Sequence, residues 1–151
     1  MHKHELIPRL ERTTMFEQFK RDEYAVLVDY LSVTRVDEGA VVFREGERGA
    51  HMCLLLEGKL AVLKDTGNGE QKKVTDVNPG KLIGEISVMD GMPYSATVIA
   101  STPATLVLLS RENLTRICEE KPRVGNKLLW KIGPLLSLRL RQTTGKLVDH
   151  L

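Results

Sequence analysis

From Asn78 to Ala100 the chain reads NPGKLIGEISVMDGMPYSATVIA, and few folds can accommodate that order of residues. Asn78-Pro79-Gly80 forms a turn and leads into a short apolar piece, after which Gly84-Glu85 opens about one turn of helix. Asp90-Gly91-Met92-Pro93 turns the chain again, and Ser95–Ala100 resumes as a strand. Strand, glycine, short helix and strand in succession leave backbone N–H groups unpaired where the helix begins. With the Glu85 carboxylate beside them, these groups make an anion cradle next to an acidic group.

The segments on either side are short, apolar and punctuated by glycine. Val33/Arg35 and Val41/Phe43 alternate around Asp37-Glu38-Gly39, which reads as a hairpin. Arg44–Gly49 is a second turn, and strands His51–Leu56 and Lys59–Lys64 flank Glu57-Gly58. The polar tip Asp65–Glu70 precedes a polar-alternating strand, Gln71–Val77, and Ala104–Leu109 reads as a buried strand. Regular short strands with glycine turns predict an antiparallel sandwich or barrel.

Helical patterns occur only towards the two ends of the chain. Thr14-Met15-Phe16-Glu17 has capping-box spacing, which predicts a helix from about Met15. Ser110 is placed to cap a helix from Arg111 that Pro122 ends or breaks, and a last helix is expected from about Arg123 to Val148. Leu129, Ile132, Leu136, Leu140, Thr143, Leu147 and Leu151 recur three or four apart along it, a stripe suited to pairing with a second copy. Gly133-Pro134 is expected to kink this helix, because proline removes one backbone bond and crowds the preceding turn. The fold class is therefore mainly β with flanking helices: an antiparallel, jelly-roll-like β-roll (a double-stranded β-helix) with an N-terminal helix and C-terminal helices. Two parts are expected, the N-terminal helix with the roll over 1–122 and a dimerisation or lid helix over 123–151.

Composition excludes several classes of function. No apolar run approaches the roughly 20 residues of a membrane helix, and MHKHELIPRLERTT lacks the apolar centre of a secretory signal. Cys53 and Cys118 match no metal spacing and read as free thiols of a reducing, cytoplasmic protein. Three of the four histidines, His2, His4 and His150, lie near the termini, so His51 has no partners for a metal site or for histidine-based catalysis. No nucleophile motif is present; neither catalytic residues, metal nor cofactor is expected. Residues 1–110 carry 13 basic and 16 acidic groups, and residues 111–151 carry 9 and 4. The excess of base at the C-terminal end is not the dense stripe that a nucleic-acid surface requires.

The central stretch resembles the phosphate-binding cassette of the cyclic nucleotide-binding domain family, in which Gly-Glu-aliphatic-Ser/Ala-aliphatic is followed by Pro-Arg-Ser/Ala-Ala-Thr-Val. Gly84, Glu85, Ile86, Ser87, Val88, Pro93, Ser95, Ala96, Thr97 and Val98 match it. Tyr94 stands where the family carries the arginine that pairs with the phosphate. The resemblance extends from about Phe16 to Val148, and Arg139–Lys146 is similar to the dimer helix of bacterial catabolite-activator-type regulators.

The resemblance implies a signal-transducing sensor domain, bacterial in type, for cyclic AMP or a related ligand. Gly84, Ile86, Ser87, Ser95 and Ala96 would cradle the phosphate, Glu85 would take the ribose hydroxyl, and Thr143 and Thr144 would face the base. Closure of Thr143 and Thr144 over the ligand would couple the pocket to the last helix, through which a homodimer is expected. The helix-turn-helix domain of those regulators is not among the 151 residues, so direct DNA binding is not expected. A phenol donates one bond where arginine gives two charge-assisted ones. The loss of about 1.5–3 kcal/mol weakens cyclic nucleotide binding by roughly ten- to 150-fold unless Arg48 folds inward to compensate. A domain that binds no nucleotide and serves as a dimerisation or protein-interaction module is the alternative, and a pocket retuned for another ligand is a third reading.

Overall fold

Eight strands form two four-stranded antiparallel sheets in an antiparallel β-roll, with helices packed against one sheet only. The structure, a computed structural model, describes residues 1–149. The strands are β1 (Ser32–Val36), β2 (Val41–Phe43), β3 (His51–Glu57), β4 (Leu60–Asp65), β5 (Gln71–Val77), β6 (Leu82–Ile83), β7 (Thr97–Ala100) and β8 (Ala104–Ser110). One sheet has the order β1-β8-β3-β6 and the other β2-β7-β4-β5. The helices are α1 (Lys3–Glu11), α2 (Arg21–Leu27), α3 (Glu85–Asp90), α4 (Arg111–Glu120) and α5 (Pro122–Asp149), with a single 3-10 turn at Thr14–Phe16.

The alternation of side chains along a strand explains why β3 is apolar without interruption. Cys53 and Leu55 point into the roll, where they meet Phe43, Leu60, Val98 and Leu106. Met52, Leu54 and Leu56 point the other way, into a second core with Leu10, Phe16, Leu27, Ile117, Leu128 and Ile132 from the helical layer. β8 divides in the same manner, Ala104 and Leu106 facing inward and Val107 and Leu109 facing the helices. β5 lies at the edge of the other sheet, beyond the helical layer, and is exposed from Gln71 to Thr75, Val74 included, before Val77 is buried.

Three expectations are corrected. β1 and β2 are not a hairpin: β1 pairs with β8 and β2 with β7, in different sheets. Asp37-Glu38-Gly39 carries the chain across between them, and Gly39 N–H donates to Ala100 O at 2.7 Å. Local alternation marks two strands but carries no information about which distant strand satisfies their backbone groups. Secondly, no helix starts at Met15. Thr14–Phe16 is the 3-10 turn, and a one-sided cap lies further on, where Glu23 Oε1 accepts from Lys20 N–H at 2.8 Å as α2 begins. α1, with Pro8 inside it, precedes both and buries Leu6 and Leu10.

The third correction concerns the stripe on the last helix. Ile132 is buried with Val124 and Leu128 in the domain's own core, and Leu136 packs against them. Leu129, Leu140 and Leu147 are exposed, together with Trp130 and Leu138. At about 100° per residue the described members of the stripe stay within about 80° of one another, so the division runs along α5. The face is buried where it lies against the domain, at Ile132 and Leu136, and exposed further on, at Leu140 and Leu147. Leu151 lies outside the described residues. The helix runs on through Pro134, with Gly133 and Pro134 at the surface.

Candidate functional site

The turn before α3 is set by Gly84, which has φ 79° and caps the helix from a left-handed conformation. A Cβ there would lie 2.8 Å from the Phe43 ring and 2.9 Å from His51 O, so only glycine brings this backbone so close to β2 and β3. Gly49 meets the same element from the other side: a Cβ on it would fall 2.1 Å from Ser87 Cβ. Held at both points, α3 projects Glu85 into a cavity of about 180 Å³ in the roll. The cavity is lined by Gly84, Glu85, Ile86, Ser87, Tyr94, Ser95 and Ala96, with Phe43, Val62, Ile83 and Val98 as apolar walls and Arg139 reaching in from α5.

Glu85 is only 1% exposed. Its Oε1 is ion-paired with Arg139 Nη1, while Arg139 Nη2 donates to Leu82 O at 2.6 Å. The second oxygen, Oε2, is equally buried and has no hydrogen-bond partner among the described residues. Burial holds the Arg139 guanidinium below its ordinary range. The pair thus ties β6, α3 and the distal half of α5 together at one point.

Tyr94 occupies the cassette position differently from an arginine. Its ring stacks on Phe43 with centroids 4.2 Å apart. Its hydroxyl donates to His51 O at 2.7 Å and accepts from His51 N–H at 3.0 Å, which ties it to the start of β3. Burial pushes the Tyr94 pKa up, so the phenol stays neutral. The Ser87 hydroxyl is likewise occupied, donating to Pro93 O at 3.2 Å.

Seven of the nine residues expected at the site come together around this cavity. Thr143 and Thr144 do not line it; both are exposed, and Thr143 Oγ1 donates to Arg139 O at 2.9 Å, back along its own helix. Arg48 is exposed and pairs through its backbone with Pro93, and its side chain borders a separate surface groove with His51, Arg111 and Arg116. The residue that sequence reasoning passed over is Arg139. Its signal was its place one turn before Thr143, on a helix already expected to reach the pocket. Among the described residues no group of three or more His, Cys, Asp or Glu side chains is placed to hold a metal, and no helix is long and apolar enough to cross a membrane.

The fold and the pocket define a class: β-roll domains with a small cavity beside a glycine-opened helix and a C-terminal helix reaching its wall. The chain belongs to the cyclic nucleotide-binding domain family, whose model matches residues 33–121. It is 26% identical to a CRP-like cAMP-activated global transcriptional regulator of Mycobacterium tuberculosis, over 93% of this chain and 61% of that protein. It is 30% identical to the cAMP-dependent protein kinase regulatory subunit of Blastocladiella emersonii, over 91% of this chain and 35% of that one. The chain therefore spans between one-third and two-thirds of the length of these relatives. Among solved structures, a cyclic nucleotide-binding domain from Methylobacillus flagellatus superposes with a TM-score of 0.83 at 30% identity, covering 99% of this chain and 84% of that one. The catabolite activator protein of Thermus thermophilus gives 0.76 at 25% identity, over 89% and 62%.

Proposed function

We propose that the chain is a ligand-sensing regulatory domain rather than an enzyme. It binds a cyclic nucleotide or a related ribosyl ligand, weakly for the cyclic phosphate, and signals through α5. The observation that carries this reading is the buried Glu85 on the cavity wall, bridged by Arg139 to the C-terminal helix. A carboxylate accepts hydrogen bonds only, which suits the hydroxyl edge of a sugar. Gly84, Ile86, Ser87, Ser95 and Ala96 would pass closest to the phosphate, and Thr143 and Thr144 would move over the base as α5 shifts. A ligand that competes for Glu85 alters the hold of Arg139 on Leu82 and Glu85, and so couples occupancy to helix position.

Self-association through α5 belongs to the same reading. Leu129, Trp130, Pro134 and Leu138 form an exposed apolar face of α5, on which Trp130 is 73% exposed. A second copy is the occupant proposed for it.

One observation favours the alternative of a non-binding interaction module: the Tyr94 hydroxyl is fully committed to His51, so no strong donor stands at the phosphate position. Isothermal titration with cyclic AMP and cyclic GMP, wild type beside Tyr94→Arg, tests both readings. The sensor reading expects weak binding by wild type, strengthened roughly ten- to 150-fold by the arginine. Silence from both proteins, each shown to be folded, would rule out a cyclic nucleotide as the ligand and, if it extends to nucleosides, would favour the interaction module instead.

A further inference from the structure

We infer that the ligand this pocket is built to hold is uncharged, a nucleoside bound through its ribose hydroxyls rather than a nucleoside phosphate. The inference rests on the sensor reading above and narrows its ligand class.

Charge is the first argument. Among the described residues, Glu85 and Arg139 are the only acidic and basic side chains on the wall of the cavity, and they are paired with each other. Lys64, near the rim, donates to Ser95 O at 2.6 Å and is paired with Glu45 at 3.3 Å. An anionic phosphate would therefore enter a site with no unpaired cation, beside a buried carboxylate. Separating Arg139 from Glu85 to meet it would leave that carboxylate uncompensated instead.

The second argument is the orphaned Glu85 Oε2. Both oxygens of the carboxylate are buried acceptors without a hydrogen bond among the described residues; the Arg139 ion pair faces Oε1 and leaves Oε2 open. Buried polar atoms are nearly always satisfied, so an orphan on a cavity wall calls for a donor from the occupant. A ribose hydroxyl supplies an O–H with no charge of its own. Cyclic AMP carries the 2′-hydroxyl too, so it differs from adenosine in the charged phosphate and in lacking the free 3′- and 5′-hydroxyls.

The walls complete the case. Phe43, Val62, Ile83 and Val98 present apolar surface to the flat face of a base, and free ribose offers nothing to cover it.

The test is isothermal titration of the full chain with adenosine, guanosine, 2′-deoxyadenosine, ribose and cyclic AMP. At least one ribonucleoside is expected to bind tenfold or more tightly than cyclic AMP, and 2′-deoxyadenosine tenfold or more weakly than adenosine. Glu85→Gln should cut nucleoside affinity at least tenfold, and the deoxy ligand gives the same information without any variant. Tyr94→Arg should improve cyclic AMP while leaving the nucleosides nearly unchanged. Cyclic AMP binding as tightly as the nucleosides would overturn this inference and leave the sensor reading standing. Ribose binding as tightly as adenosine would overturn the nucleoside assignment in favour of a free sugar. Silence of wild type and Tyr94→Arg towards every ligand would overturn both this inference and the sensor reading.

Discussion

Tyr94 shows how one substitution reassigns a position from ligand chemistry to architecture. Its hydroxyl both donates to and accepts from His51, and its ring covers Phe43, so the side chain now joins β3 to the cassette loop. Tyr94→Phe keeps the stacking and removes both bonds, and should cost about 1–2 kcal/mol in urea denaturation. Glu23 makes a similar point in the helical layer. Burial alone would push its carboxyl up, but Lys127 Nζ at 2.5 Å and the Lys20 N–H hold it below the usual range. A depressed folded-state pKa gives stability that is fully present above the unfolded value, about 4.3, and is lost as pH falls through the folded one. Urea midpoints between pH 7 and pH 3 should therefore fall less steeply for Glu23→Gln than for wild type. The cassette glycines and Glu85 were legible in the sequence because their roles are local. The engagement of Tyr94 with His51 was not, since 43 residues separate the two partners.

Among the elements, α5 carries the most information and was the hardest to read. Its start after Pro122 and the Ser110 cap on α4, where Asn113 N–H donates to Ser110 Oγ at 2.9 Å, follow from local chemistry. Which leucines face the domain depends on where α5 docks, and the roll decides that. The same docking brings Arg139 to Glu85, a pairing no local pattern encodes. Arg139→Ala leaves a buried carboxylate unpaired and should cost on the order of 3 kcal/mol, reduced because the arginine side chain is one-third exposed. Combined with Glu85→Gln the loss should be much less than additive, which a double-mutant cycle by chemical denaturation will measure. The strands were visible as runs, but β1 and β2 were assigned to each other because alternation looks the same in either sheet.

At the scale of the whole molecule, the β-roll was legible from the rhythm of short strands and glycine turns, since that rhythm constrains architecture directly. The outward face of α5 bears on assembly. Sedimentation of wild type is expected to show a dimer, and Trp130→Ala should weaken it at least tenfold, as loss of a central aromatic anchor does elsewhere. Monomeric wild type at high concentration would remove α5 as the self-association surface. β3 bears on the chain's history in a different way. Because Met52, Leu54 and Leu56 serve the helical core while Cys53 and Leu55 serve the roll, neither side of the strand faces water. A change on either face disturbs a packed interior, so β3 has almost no neutral substitutions open to it, whereas the exposed face of β5 is free to drift. Divergence among relatives of this fold would then gather on one sheet and spare the other, a lopsided tempo set by where the helices happen to pack.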